Sequence, residues 1–208
     1  MQGLFWTAVI VGLTFWAGSE LSLPFPIFVA WKGLGVALLA LWAALQAKGR
    51  DGWLLAGVLA FDAVGDVVLE AVGLQAGAAA FLFGHLLAIW LYLRHRVRDW
   101  SWPLSLMIPV VVGGSVWLPD DRAVAPSVGL YALVLAAMAV AASHSRFRGA
   151  ALGAWLFVAS DLLIFASLGP LRGSFVPALL VWPLYFGGQA IIAWDVSRRL
   201  GEKDRSRP

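Results

Sequence analysis

The chain has 208 residues, of which 61% are hydrophobic and 13% charged, with a mean hydropathy of +0.83. Soluble domains carry about 25% charged residues, so the composition excludes an ordinary water-soluble globule and makes lipid the solvent. Cysteine is absent, which excludes disulfides, thiolate nucleophiles and cysteine metal sites, and the net charge of +3 does not call for a nucleic-acid partner, because the basic residues fall between apolar stretches.

In chain order, eight stretches are apolar enough to cross a bilayer: residues 3–18, 24–45, 53–72, 76–93, 103–118, 126–142, 149–168 and 175–196. The first and fifth are short for that purpose. Met1 and Gln2 precede the first with no basic segment, and no small-residue cleavage site stands near Gly18, so this span is expected to be retained. The expected fold class is all-α, a polytopic transmembrane bundle of eight helices forming one domain over residues 1–200. A polar cytoplasmic tail without structure is expected over residues 201–208.

Loop charge tests the span count. With the N-terminus in the cytoplasm, the cytoplasmic segments hold Lys48 and Arg50, then Arg94, Arg96 and Arg98, then Arg146 and Arg148, and finally Arg198, Arg199, Lys203, Arg205 and Arg207. The opposite side holds only Arg122 and Arg172, and Lys32 lies inside a span. Cytoplasmic loops are enriched in Lys and Arg, and a wrong span count would scramble this split. The reading is a multi-pass protein of a cytoplasmic membrane with both termini inside. Trp53, Trp100, Trp102, Trp117 and Trp194 stand near span ends, as an interfacial aromatic belt requires.

The third and seventh spans echo each other around an acid. Gly65-Asp66-Val67-Val68-Leu69 aligns with Ser160-Asp161-Leu162-Leu163-Ile164, and the following spans carry Gly84-His85 and Gly188-Gln189. Duplication of a four-span unit would give two parallel repeats. Chance likeness between aliphatic helices is the alternative.

A rise of about 1.5 Å per residue puts Asp66 roughly 20 Å, and Asp161 roughly 18 Å, from the cytoplasmic ends of their spans. Lys32 and His85 lie about 12–14 Å from the outer ends of theirs. In a core about 30 Å thick these groups reach similar depth. An ionisable group there costs at least ~2.5–3.5 kcal/mol, so intramembrane acids are expected to pair, to surround water and to serve function. Asp62, Asp66 and Glu70 follow at i, i+4 and i+8 and share one helix face. Neighbouring carboxylates repel, so at least one is expected to hold its proton and be able to act as a general acid. Each residue also has a structural reading. Asp66 and Asp161 could bridge helices, Lys32 could neutralise a carboxylate, and His85, Tyr185 and Gln189 could be interhelical hydrogen-bonders. Glu20 and Glu70, near outer span ends, are expected to be solvated, Asp62 to tune Asp66, and Asp195 to pair with nearby arginines. His95 and His144 are placed in basic loops, which argues against a metal site of several histidines.

The ordered set Lys32, Gly65-Asp66-x-x-Leu69, Phe81-Leu82-Phe83-Gly84-His85, Ser160-Asp161 and Tyr185-Phe186-Gly187-Gly188-Gln189 resembles the YhhN family of membrane lysoplasmalogenases over nearly the whole chain. The chain departs from that pattern at Gly33, where the family usually has proline after the lysine. It departs again at Ala88, in place of a tyrosine, and at Asp62, in place of a small polar residue. The resemblance implies hydrolysis of the vinyl-ether bond of a lysophospholipid bearing an alkenyl chain, with release of a fatty aldehyde and without cofactor or metal. Asp66 and Asp161 would be the catalytic acids, sharing one hydrated chamber, with Lys32, Asp62, His85, Tyr185 and Gln189 in supporting or substrate-binding roles. Two other readings fit the residues: a proton-coupled transporter, in which Gly187-Gly188 would break a helix at a carrier site, and a structural or lipid-binding protein whose polar cluster only fixes packing.

Overall fold

The computed structural model describes residues 2–19, 21–97 and 99–205, with side chains through Glu202. Glu20, Arg98 and Arg207 lie outside the described residues, as do the side chains of Lys203 and Arg205. The helices are α1 (Gln2–Gly18), α2 (Phe25–Gln46), α3 (Gly49–Ala71), α4 (Leu74–Arg94), α5 (Trp102–Ser105), α6 (Met107–Trp117), α7 (Ala125–His144), α8 (Arg148–Ser167) and α9 (Phe175–Arg205), with one 3-10 turn at Arg122–Val124. Six of these segments are long and apolar enough to cross a membrane, and Gln2–Gly18 and Trp102–Trp117 are shorter apolar helices at the first and fifth expected spans. The protein is an all-α, multi-pass membrane protein.

The fifth span is interrupted at Leu106. Pro109 has no N–H to give to the Ser105 carbonyl, and its ring crowds that carbonyl. The helix accordingly stops at Ser105 and restarts at Met107. The expected tail also differs: α9 continues through Arg205 instead of ending near Val196. Polar residues extend the helix by pairing one turn apart, Arg199 with Asp195 at 2.7 Å and Arg198 with Glu202 at 3.0 Å.

The chain forms two compact units, 1–91 with 193–208, and 92–192. In the first, α2 packs against both α1 and α3. Lipid tails are as apolar as leucine, so no hydrophobic force drives helices together in a bilayer, and close packing has to do it. The ring of Phe5 lies 4.9 Å from that of Trp42 and 4.8 Å from that of Trp194, and the two indoles are stacked at 6.0 Å. Trp194, expected in the interfacial belt, thus belongs to a packed aromatic cluster. Trp53, Trp100, Trp102 and Trp117 are exposed, as belt residues should be. Short links hold α2, α3 and α4 in sequence, and Gly49 (φ 65°) and Gly73 (φ 129°) adopt backbone conformations that side chains disfavour.

In the second unit, α7 packs against α6 and α8, so α2 in the first unit and α7 in the second are each gripped by the helices before and after them. The buried face of α7 is built of Ala132, Leu135, Ala136, Ala139, Val140 and Ala142, small enough for close approach. His95 and His144, expected in loops, are both buried. The His144 imidazole stacks on Trp100 at 4.6 Å. Its Nδ1 lies 2.8 Å from the Val140 carbonyl, and its Nε2 accepts from the Ser101 amide at 2.9 Å.

Candidate functional site

The first unit holds Asp62, Asp66, His85 and Lys32. Along α3 the buried positions include Leu55, Leu59, Asp62, Ala63 and Asp66, while Phe61 and Val64 are exposed. The i, i+4 spacing therefore turns both aspartates inward. Asp62 is 1% exposed and Asp66 2%. Asp62 lies against α4 at Gly84: a Cβ placed there would come within 2.6 Å of its Oδ1. Glycine before His85 thus leaves the volume that the Asp62 carboxylate fills. His85 itself is buried.

Lys32 pairs with Glu70, joining α2 to α3. The two side chains are 15% and 27% exposed. Glu70 was expected to be solvated. It serves instead as the counter-ion that makes a lysine inside a span tolerable.

The second unit holds Asp161, Tyr185 and Gln189. Asp161 is 5% exposed, and its Oδ2 accepts a 2.6 Å hydrogen bond from the Tyr131 hydroxyl of α7. Ser160 donates its hydroxyl to the Val181 carbonyl of α9 at 3.0 Å. The Tyr185 ring is buried edge-on against Phe157, with centroids 5.0 Å apart, and beside Trp182 at 5.6 Å. Gln189 is buried. Beside it the backbones of α8 and α9 meet: a Cβ on Gly153 would come within 2.5 Å of the Gly188 carbonyl, and one on Gly188 within 2.6 Å of the Gly153 carbonyl. Gly187-Gly188 does not break α9, which runs through both residues.

The echo between the halves extends to contacts. The small residue before each aspartate touches the following helix: Gly65 leaves room for the Phe81 ring of α4, and Ser160 bonds to α9. A polar pair also ties α2 to α3 in the first unit, Lys32 with Glu70, and α7 to α8 in the second, Tyr131 with Asp161.

Tyr131 is absent from the residues expected on sequence grounds. An aromatic ring in an apolar helix resembles ordinary core. The available signal was its register: Tyr131 and Asp161 stand at equal distance on either side of Arg146, in the short link between α7 and α8. Antiparallel neighbours bring such positions to one level.

Residues 27–196 match the YhhN family. The chain belongs to that family. No curated protein and no solved structure is significantly similar to it. In this YhhN protein the matched region begins within α2 and ends within α9, so it includes Lys32, both aspartates, His85, Tyr131 and Gln189.

Proposed function

We propose that this YhhN protein is a membrane-embedded hydrolase that cleaves the vinyl-ether bond of lysoplasmalogen-type lipids. The observation that carries the reading is the burial of Asp66 and Asp161 at 2% and 5% exposure inside apolar helices of a YhhN chain. Carboxyl groups are costly to keep there without a task.

The chemistry needs an acid, a carboxylate and a water. One carboxylic acid gives its proton to the vinyl carbon remote from the ether oxygen, and the ether carbon becomes an oxocarbenium ion. The other carboxylate stabilises that cation and takes a proton from water as the water adds, leaving a hemiacetal. Collapse of the hemiacetal gives the glycerophospho-alcohol and a fatty aldehyde, with one water consumed. The division of labour parallels the paired carboxylates of glycosidases. Asp66 and Asp161 fill these roles. Asp62, one turn from Asp66, sets its proton affinity. Lys32, already neutralised by Glu70, faces the head group or its phosphate, and His85, Tyr185 and Gln189 place the water and the polar end of the lipid. The chemistry requires no metal or cofactor. The membrane is the cytoplasmic one, with both termini inside.

The test is aldehyde release from alkenyl lysophospholipids by purified protein in detergent, with Asp66→Asn and Asp161→Asn as variants. Removal of a positioned acid or base costs about 10²–10⁴-fold in rate, so both variants should fall by at least the lower figure. Full activity in either removes that residue from the mechanism. Flux of an unmodified substrate across sealed vesicles, with no aldehyde, would replace the hydrolase with a transporter.

A further inference from the structure

We infer that Tyr131 is a positioning residue for Asp161, holding one carboxyl oxygen so that the other works on the substrate; this rests on the hydrolase reading above. The phenol has one hydrogen to donate, and it is directed to Asp161 Oδ2 at 2.6 Å, within the short range typical of hydroxyl–carboxylate bonds. The bond is buried and joins α7 to α8 across a separation of 30 residues.

The ring that carries the hydroxyl is itself fixed. Tyr131 meets Phe165 edge-on, with centroids 6.2 Å apart and planes at 82°. Phe165 lies one turn beyond Asp161 on the same helix. Val128, Ala132 and Leu135, all buried, flank Tyr131 along α7. The hydroxyl therefore stands at a set point, whereas an aspartate left to itself turns broadly about its last torsion. A carboxylate that must face a developing cation and orient a water needs its plane fixed. Phenylalanine would fill the same space, since the hydroxyl is all that distinguishes it from tyrosine. Packing alone therefore does not account for a tyrosine here.

The bond also gives the two oxygens different parts. Oδ2 accepts from the phenol, and Oδ1 is the oxygen assigned to the substrate. Asp161 is thereby held in a fixed plane by α7.

The experiment compares full-length wild type, Tyr131→Phe, Asp161→Asn and the double variant in detergent, measuring kcat, KM and melting temperature with an alkenyl lysophospholipid. Misplacing a reacting group can cost about 10²-fold, so Tyr131→Phe should lower kcat by about 10- to 100-fold, with KM within about 2-fold of wild type. The double variant should be no slower than Asp161→Asn, because a residue acting through Asp161 has nothing left to position. An infrared carboxyl band assigned by its loss in Asp161→Asn should move in Tyr131→Phe, whatever the substrate. Tyr131→Phe with wild-type kcat, an unmoved band, or a double variant slower than Asp161→Asn would each overturn the inference while leaving the hydrolase in place. A wild type that releases no aldehyde would remove the hydrolase reading, and this one with it.

Discussion

Lys32 of α2 and Glu70 of α3 form an ion pair at the edge of the buried acidic face, one turn beyond Asp66. The pair explains how a lysine sits inside an apolar helix, since each charge would otherwise meet lipid unneutralised. Removing one member of a fully buried pair costs about 3–5 kcal/mol, while replacing both by apolar residues is often neutral. The partial exposure here discounts that figure. Lys32→Met should therefore destabilise by about 1–3 kcal/mol. The combined change with Glu70→Leu should recover most of the loss. Melting in detergent checks both, and equal stability of all three proteins would show that the pair contributes nothing.

The contact between Gly84 and Asp62 makes a sharper case. A methyl group at Gly84 would lie 2.6 Å from Asp62 Oδ1, a distance that forces the carboxylate or α4 to move. Gly84→Ala should lower both stability and aldehyde release, because it disturbs the acid beside Asp66 and the helix turn that carries His85. Asp62→Ser, which shortens the side chain, should relieve the clash. A double-mutant cycle on melting temperature should then give a coupling of about 1 kcal/mol or more. Additive effects would mean that the two residues do not meet.

The contrast between these two pairs shows what a linear sequence conveys. Hydropathy was enough to give the six helices long enough to cross a membrane and the two shorter apolar ones, because a crossing helix must cover the bilayer alone. Inward-facing Asp62 and Asp66 followed from spacing along one helix. The partners did not follow. Glu70 looked solvated because it stands near a span end. Its bond to Lys32 depends on how α2 and α3 are rotated against each other, which periodicity within either helix does not specify. Tyr131 was hidden by its own chemistry, since a ring among alanines and leucines reads as packing. The break at Leu106 was available in principle from Pro109. The extension of α9 to Arg205 was not evident from hydropathy, because its support comes from pairs between charged side chains.

Neighbouring glycines in α9 offer a controlled comparison. A Cβ on Gly188 would approach the Gly153 carbonyl to 2.6 Å, whereas one on Gly187 would meet nothing within 4 Å. Overpacking a close contact costs about 1–3 kcal/mol. Alanine in place of a helical glycine with free space gains up to about 1 kcal/mol. Gly188→Ala should therefore lower the melting temperature, and Gly187→Ala should leave it unchanged or raise it. Loss of stability in both would point to a need for helix flexibility rather than to the backbone contact.

The absence of cysteine makes the proposed topology directly testable. Single cysteines at Lys48 and Arg172, both exposed, should label from opposite faces of a sealed membrane. The proposed topology, argued from the positive-inside pattern, would put Lys48 in the cytoplasm and Arg172 outside. In intact cells a membrane-impermeant maleimide should react with Arg172→Cys and spare Lys48→Cys. After permeabilisation both should react. Labelling of Lys48→Cys from outside would invert the topology, and with it the side from which the head group of a lipid substrate enters. That side matters to the chemistry. In the proposed topology Glu70 and Lys32 lie toward the outer ends of their helices, so under the hydrolase proposal a head group recognised there would belong to the outer leaflet.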